Sequence, residues 1–262
     1  YVLTGTDGVY TDVLQKSEGN YQIYVGGMDS GHTISSDKEK SKVTIDYLTA
    51  QVRITDDTPW TDAKVTLRDQ TSGKLTAVFN YTETTSENTA VYEDYIASDE
   101  AAAYEVYVNG KDTHKSITQT GSGYTADIAF YTATATIEGN IPSPSVNMAN
   151  GSENISFTVM DGSAANVYTA QHVLIAEDQS GQEKPYTISV KNTIDTLDTT
   201  VTSKTKTVTM KFWVVKAYVC NSATDPAQGK LYSTSYVRDT CVMPALSPAG
   251  EQTGYSFTCW SE

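Results

Sequence analysis

Positive charge is scarce in this chain. Its 262 residues carry 18 Lys and Arg against 32 Asp and Glu, a net charge of −14. Phosphate-rich partners need Lys and Arg, so this balance argues against nucleic acid and against anionic membrane surfaces. The excess of carboxylates suits solubility and low self-association, and a monomer is expected. Long apolar runs are also missing. No stretch approaches the roughly 20 residues of a membrane-spanning helix, and no secretory leader is expected at the start. Histidine and cysteine are limited to three each. No HExxH, phosphate loop or strand-linked GxGxxG occurs, and the cysteine spacing fits no zinc pattern. The expectation is a non-enzymatic protein with no cofactor and no metal.

What is abundant is Thr, Ser and Tyr, with 18 Tyr in all. Thr, Tyr and Val suit pleated surfaces, so the composition reads as all-β. The stretch "YQIYVGGMDSGHTI" (21–34) returns 83 residues later as "YEVYVNGKDTHKSI" (104–117). In the second, Tyr104, Val106 and Val108 share one face and Glu105 and Tyr107 the other. Asn109-Gly110 then offers the two positive φ angles of a tight hairpin turn, and Gly26-Gly27 does so in the first. Each copy predicts a β-hairpin of the same register. The flanks match too: "GVYTDVLQKSEGNY" with "AVYEDYIASDEAAAY" before, and "KVTIDYLTAQVRI" with "YTADIAFYTATATI" after. The helix-like stretch "EDYIASDEAAAYE" aligns with non-helical sequence in the first copy, so strand plus loop is expected there.

A period near 83 is too long for a solenoid and predicts tandem β-sandwich modules, each with its own core. Residues 1–49 read as the back half of a first module whose opening strands are not in this sequence, so the chain reads as a piece of something longer. Residues 50–137 read as a complete second module. A Pro/Gly/Ser-rich boundary, "EGNIPSPSVNMANGSE", opens a third and different β-sandwich over 138–240. There the strand "TKTVTMKFWVVKAYVC" is apolar on both faces and is expected to be central. Residues 241–262 form a tail.

Three groups of residues invite a functional reading. His32, His114 and His172 form no Ser–His–Asp pattern. Asp56-Asp57 could flank a glycosidic bond, but adjacent carboxylates in a "DDTP" turn are commoner as turn formers. Tyr24 and Tyr107 occupy the same position on the polar-alternating face of each hairpin. They either fill sandwich edges or stand outward as partner-binding anchors, since exposed Tyr gives contact area at low entropy cost.

The segments "AKVTLRD" and "YEVYV", with the turns between them, resemble the transthyretin-like or collagen-adhesin B-type modules of Gram-positive surface proteins. The tail "GYSFTCW" (254–260) resembles a truncated internalin-type repeat, with Cys259 where that family usually has Gly. The resemblance implies an extracellular, bacterial cell-surface or secreted, adhesin-like protein that binds a host protein such as immunoglobulin or a mucosal glycoprotein. A purely structural stalk and a carbohydrate-binding or glycoside-processing accessory domain are the alternatives. Some such modules form a Lys–Asn isopeptide bond from a Lys on the first strand. Here that strand reads Gln51-Val52-Arg53-Ile54, and an Arg cannot supply the attacking amine. Cys220 and Cys241 bracket a strand-turn segment that can bring them within the roughly 5.5 Å Cα separation of a disulfide. The extracellular setting would permit that bridge and leave Cys259 over.

Overall fold

The computed structural model describes residues 2, 4–6, 8–15, 19–35, 41–85, 88–98, 103–121, 123–151, 153–160, 166–178, 180–219, 230–239 and 241. The secondary structure is all β, and no helix occurs among these residues. Two compact units divide the chain, Tyr1–Ala129 and Phe130–Glu262.

The first unit contains two small separate ribbons. β1 (Thr4–Thr6) pairs β2 (Val9–Thr11), and β3 (Asn20–Val25) pairs β4 (Met28–Ser35). The rest is built from β5 (Tyr47–Thr55), β6 (Val65–Asp69), β7 (Leu75–Val78), β8 (Asn80–Thr84), β9 (Thr89–Ala97), β10 (Ala103–Val108), β11 (Lys111–Thr120) and the first half of β12 (Gly123–Glu138). These strands hydrogen-bond in the order β7-β6-β10-β11-β12-β5-β9-β8. The two end strands are joined by Phe79 alone, so the sheet is nearly closed and barrel-like.

Period-two alternation builds its interior. Ala50, Val52 and Ile54 of β5, Val65 and Leu67 of β6, and Val106 of β10 are fully buried. Between them, Gln51 and Arg53 point outward. Tyr92 is buried with its polar end satisfied: its hydroxyl donates to the Trp60 carbonyl and accepts from the Ala63 N–H at 3.0 Å. A buried tyrosine needs such partners. β5 runs parallel to β12 from Thr49 opposite Gly123 to Thr55 opposite Ala129. A Cβ on Gly123 would come within 2.5 Å of the Thr49 carbonyl oxygen, so glycine is required where these backbones meet.

At Phe130 the partners of β12 change. Its second half pairs antiparallel with β16 (Val167–Leu174) and parallel with β19 (Thr207–Val219). β15 (Thr158–Val159) extends that sheet beyond β16, and β20 (Lys230–Arg238) extends it beyond β19. A second sheet, β14-β13-β17-β18, joins Glu153–Ser156, Val146–Asn150, Tyr186–Val190 and Thr199–Val201. Ala133, Ala135, Met148, Val173, Val201 and Met210 are among the fully buried residues of this unit's core. The module boundary read at 137/138 falls inside β12, eight residues after its pairing changes. The expectation that the "TKTVTMKFWVVKAYVC" strand is central is not met, because no part of β19 has a strand on both sides among the described residues. β19 has β12 beside Thr207–Lys211 and β20 beside Phe212–Val219.

The repeated stretch forms two hairpins of one register. Tyr21 faces Ile34, Gln22 faces Thr33, Tyr24 faces Asp29 and Val25 faces Met28. Shifted by 83, Tyr104 faces Ile117, Glu105 faces Ser116, Tyr107 faces Asp112 and Val108 faces Lys111. The turn residues Gly26, Gly27, Asn109 and Gly110 all have positive φ, as the tight turn requires. The stretch read as strand plus loop enters the structure as the end of β9, up to Ala97.

Candidate functional site

Each hairpin carries the same β-bulge, placed between Gln22 and Tyr24 in one and between Glu105 and Tyr107 in the other. A three-residue device on the return strand builds it. The carboxylate of Asp29 accepts the Gly31 N–H at 2.9 Å, and that of Asp112 accepts the His114 N–H at 2.7 Å. The Ser30 hydroxyl donates to the Ile23 carbonyl at 2.8 Å, and the Thr113 hydroxyl to the Val106 carbonyl at 2.7 Å. The third residue is left-handed, Gly31 at φ 73° and His114 at φ 56°. A bulge frees one residue from the ladder, and these side chains satisfy the groups it orphans. Hydrogen bonding by the Gly31 N–H, foremost, holds the Asp29 carboxyl below the ordinary carboxylate value.

This device explains a histidine. His114 stands where the first copy has Gly31, because His tolerates the left-handed region better than most side chains. His172 repeats the theme at φ 54°, beside the register shift between β12 and β16. His32 lies one residue past its bulge, with Nδ1 2.7 Å from the Ser30 carbonyl. Nothing in the sequence period marks these bulges; the Asp-Ser/Thr-Gly/His triplet marks them only once both copies are laid together.

Tyr24 and Tyr107 sit at equivalent positions in unequal surroundings. Tyr24 is 61% exposed. Tyr107 is half-buried, with the Arg68 guanidinium 4.9 Å from its ring centroid and its hydroxyl 3.3 Å from Glu105 Oε2. The apolar face behind them differs in the same way. Val108 is 3% exposed, and its counterpart Val25 is 46% exposed. Val25, Met28 and Asp29 of the first hairpin border a cleft of about 580 Å³, closed on other sides by Tyr47, Leu75 and Tyr95. Lys74 reaches across it to Asp29 at 3.4 Å.

The other predicted residues have structural surroundings. Asp56 is buried and accepts the Asp57 N–H at 2.7 Å, while the Asn88 amide donates to the Asp57 carbonyl at 3.0 Å. Those contacts fit turn formers. Arg53 makes a bidentate pair with Asp127 at 2.6 and 2.9 Å. Cys241 is a free thiol, with the Thr196 N–H and hydroxyl 3.3 and 3.2 Å from its sulfur. Cys220 and Cys259 lie outside the described residues, as does the tail 242–262. No group of three or more His, Cys, Asp or Glu able to hold a metal occurs among the described residues.

In the second unit two buried phenols lie near carboxylates. The Tyr186 hydroxyl is 2.6 Å from Glu153 Oε2 and 3.2 Å from the Leu174 carbonyl. Burial first, then the bond to Glu153, pushes Tyr186 far above the ordinary tyrosine range. Burial, then the charges of Glu183 and Glu153, does the same to Tyr131. Both stay protonated at neutral pH and serve the core as neutral side chains.

The fold defines an all-β chain of two units with an aromatic hairpin surface as its candidate site. No protein-family model matches the chain, and no curated protein matches it. Among solved structures it is similar to a leucine-rich repeat protein from Bacteroides thetaiotaomicron VPI-5482. The two are 12% identical, with a TM-score of 0.22, over 63% of this chain and 25% of that one. The chain thus matches about a quarter of that protein's length, and a likeness this low carries no argument about function.

Proposed function

We propose that this chain is a non-enzymatic binding segment of a larger bacterial surface protein. In this reading it is built from tandem β-sandwich modules of the transthyretin-like or collagen-adhesin B type and works outside the cell. Its partner is a host protein, of which immunoglobulin and a mucosal glycoprotein are the first to test. One observation carries the reading: Tyr24 projects, 61% exposed, from a hairpin whose duplicate has its apolar face buried and its matching Tyr107 half-buried. An exposed aromatic on a β-ribbon is a suitable anchor for protein or sugar. The acidic surface favours a neutral or basic patch on the partner.

A structural spacer is the second reading. It is favoured by Tyr107, whose ring is covered by Arg68. The experiment is retention of immobilised immunoglobulin, mucin and matrix proteins by the intact chain and by Tyr24→Ala. The binding reading expects retention of one of these and at least tenfold weaker affinity for Tyr24→Ala with folding intact. No retention, or unchanged affinity, supports the spacer.

A further inference from the structure

The strongest unassigned feature is the ribbon β19–β20 in the second unit. Along Phe212–Val219, β19 pairs only with β20 among the described residues, because β12 stops at Lys211. The direction of each backbone group can be read from its neighbours. Ile194 donates to the Tyr236 carbonyl at 2.7 Å and accepts from the Arg238 N–H at 2.8 Å, so those residues face away from β19. Asp239 donates to the Lys211 carbonyl at 2.7 Å, so Lys211 faces β20. By the alternation of a strand, Trp213 and Val215 also face β20, while Phe212, Val214 and Lys216 turn their N–H and C=O to the other side. Gly139 covers the Phe212 carbonyl, where a Cβ would come within 2.4 Å. The groups of Val214 and Lys216 have no strand beside them among the described residues.

Two further observations say what fits that edge. Trp213 is 55% exposed and pinned, its Nε1 donating to Asp239 Oδ1 at 3.0 Å and Lys211 Nζ lying 4.6 Å from the ring centroid. Val214, at 38% exposure, lies on the opposite face of the strand. Charge is inverted here relative to the rest of the chain. Residues 204–239 hold Lys204, Lys206, Lys211, Lys216, Lys230 and Arg238 against Asp225 and Asp239, in a protein of net charge −14. Edge lysines ordinarily guard against pairing, and Lys211 and Lys216 repel a second copy of the same edge. The same charges attract a carboxylate-bearing strand.

We propose that the open edge of β19 at Val214–Lys216 is a docking site for an extended, acidic peptide segment of a partner protein. The segment adds as a strand beside β19. Its backbone bonds to Val214 and Lys216, its carboxylates meet Lys211 and Lys216, and an apolar side chain rests on Trp213. This site is separate from the Tyr24 surface and takes a partner of opposite charge.

The test selects heptapeptides from a random displayed library on the intact chain at low salt, then synthesises the most enriched. Enriched peptides richer in Asp and Glu than in Lys and Arg are expected. Lys211→Glu with Lys216→Glu should weaken binding at least tenfold, as should Val214→Pro, which removes an N–H that bonds nothing in β20. Val215→Pro, which breaks the ladder to β20, marks what unfolding looks like in the same assay. Should Val214→Pro share that signature, alternate N-methylation of the peptide asks the same question of the other strand, with the same tenfold loss expected. Tyr24→Ala should leave binding unchanged. No enriched peptide, neutral or basic ones, or affinity indifferent to the charge reversal or to the backbone blocks overturns the proposal.

Discussion

The hairpin of residues 20–35 and the hairpin of residues 103–120 share turn, bulge and register, and differ in what lies behind them. In the second, β10 has β6 on its far side, with Val106 opposite Leu67 and Val108 opposite Val65. In the first, β3 pairs with β4 alone among the described residues. Tyr21 and Ile23 are therefore half-buried where Tyr104 and Val106 are buried. Local sequence was enough to make the same ribbon twice. Burial came from neighbours, and this is why one Tyr of the pair is covered and the other stands free. A hairpin alone is marginal in water, so the first copy has less to hold it.

The largest effect that separates the copies should come from the paired tyrosines of the apolar face. Tyr104 is buried and meets Tyr124 edge-on, with ring centroids 5.7 Å apart. Tyr104→Ala should cost about 3–5 kcal/mol, the range for emptying a large aromatic from a core. Tyr21→Ala should cost about 1 kcal/mol or less, since the site is already half open. Denaturant unfolding followed by amide exchange in each hairpin separates them, and equal costs would break the comparison.

The bulge should behave alike in both copies. Thr113→Val leaves the Val106 carbonyl without its hydroxyl partner and should cost about 1–3 kcal/mol, with Ser30→Ala toward the lower end. At the left-handed position, His114→Val should cost about 1–2 kcal/mol and His114→Gly almost nothing, because a β-branched side chain resists positive φ. A chemical role for the imidazole would make His114→Gly as harmful to binding as His114→Val.

The smallest effects concern the surface. Tyr107→Ala should lose about 0.5–1 kcal/mol from the Arg68 stacking, and Tyr24→Ala should be neutral for stability. The Asp29 carboxyl has its folded pKa lowered by the Gly31 N–H. Its contribution is therefore fully present above the ordinary carboxylate value and is lost as pH falls through the lowered one. Titration of the Gly31 amide by NMR should show a midpoint below that of an unperturbed Asp. A midpoint at or above it would remove Asp29 from the bulge.

Much of this frame was legible from residues. Asn109-Gly110 and Gly26-Gly27 announced the turns, and the period-two alternation of Tyr104, Val106 and Val108 gave the buried face. The bulges were not legible, because "DSGHT" and "DTHKS" read as plain return strands until their hydrogen bonds are known. The inequality of Tyr24 and Tyr107 was hidden for a different reason. It depends on Arg68, about 40 residues away in sequence, and no local pattern encodes that contact. β12 is different: in "DIAFYTATATI" the apolar positions shift phase, from Ile128 and Phe130 to Tyr131, Ala133, Ala135 and Ile137, where its partners change, and this signal in the sequence went unread.

The measurement that bears most directly on the duplicated hairpin is residue-resolved amide exchange on the intact chain. The account predicts one pattern of protected amides in residues 20–35 and 103–118, offset by 83. It also predicts exchange at least about 100-fold faster in the first copy, because fewer buried contacts oppose its opening. Different patterns of protection, or equal rates at equivalent amides, would contradict it.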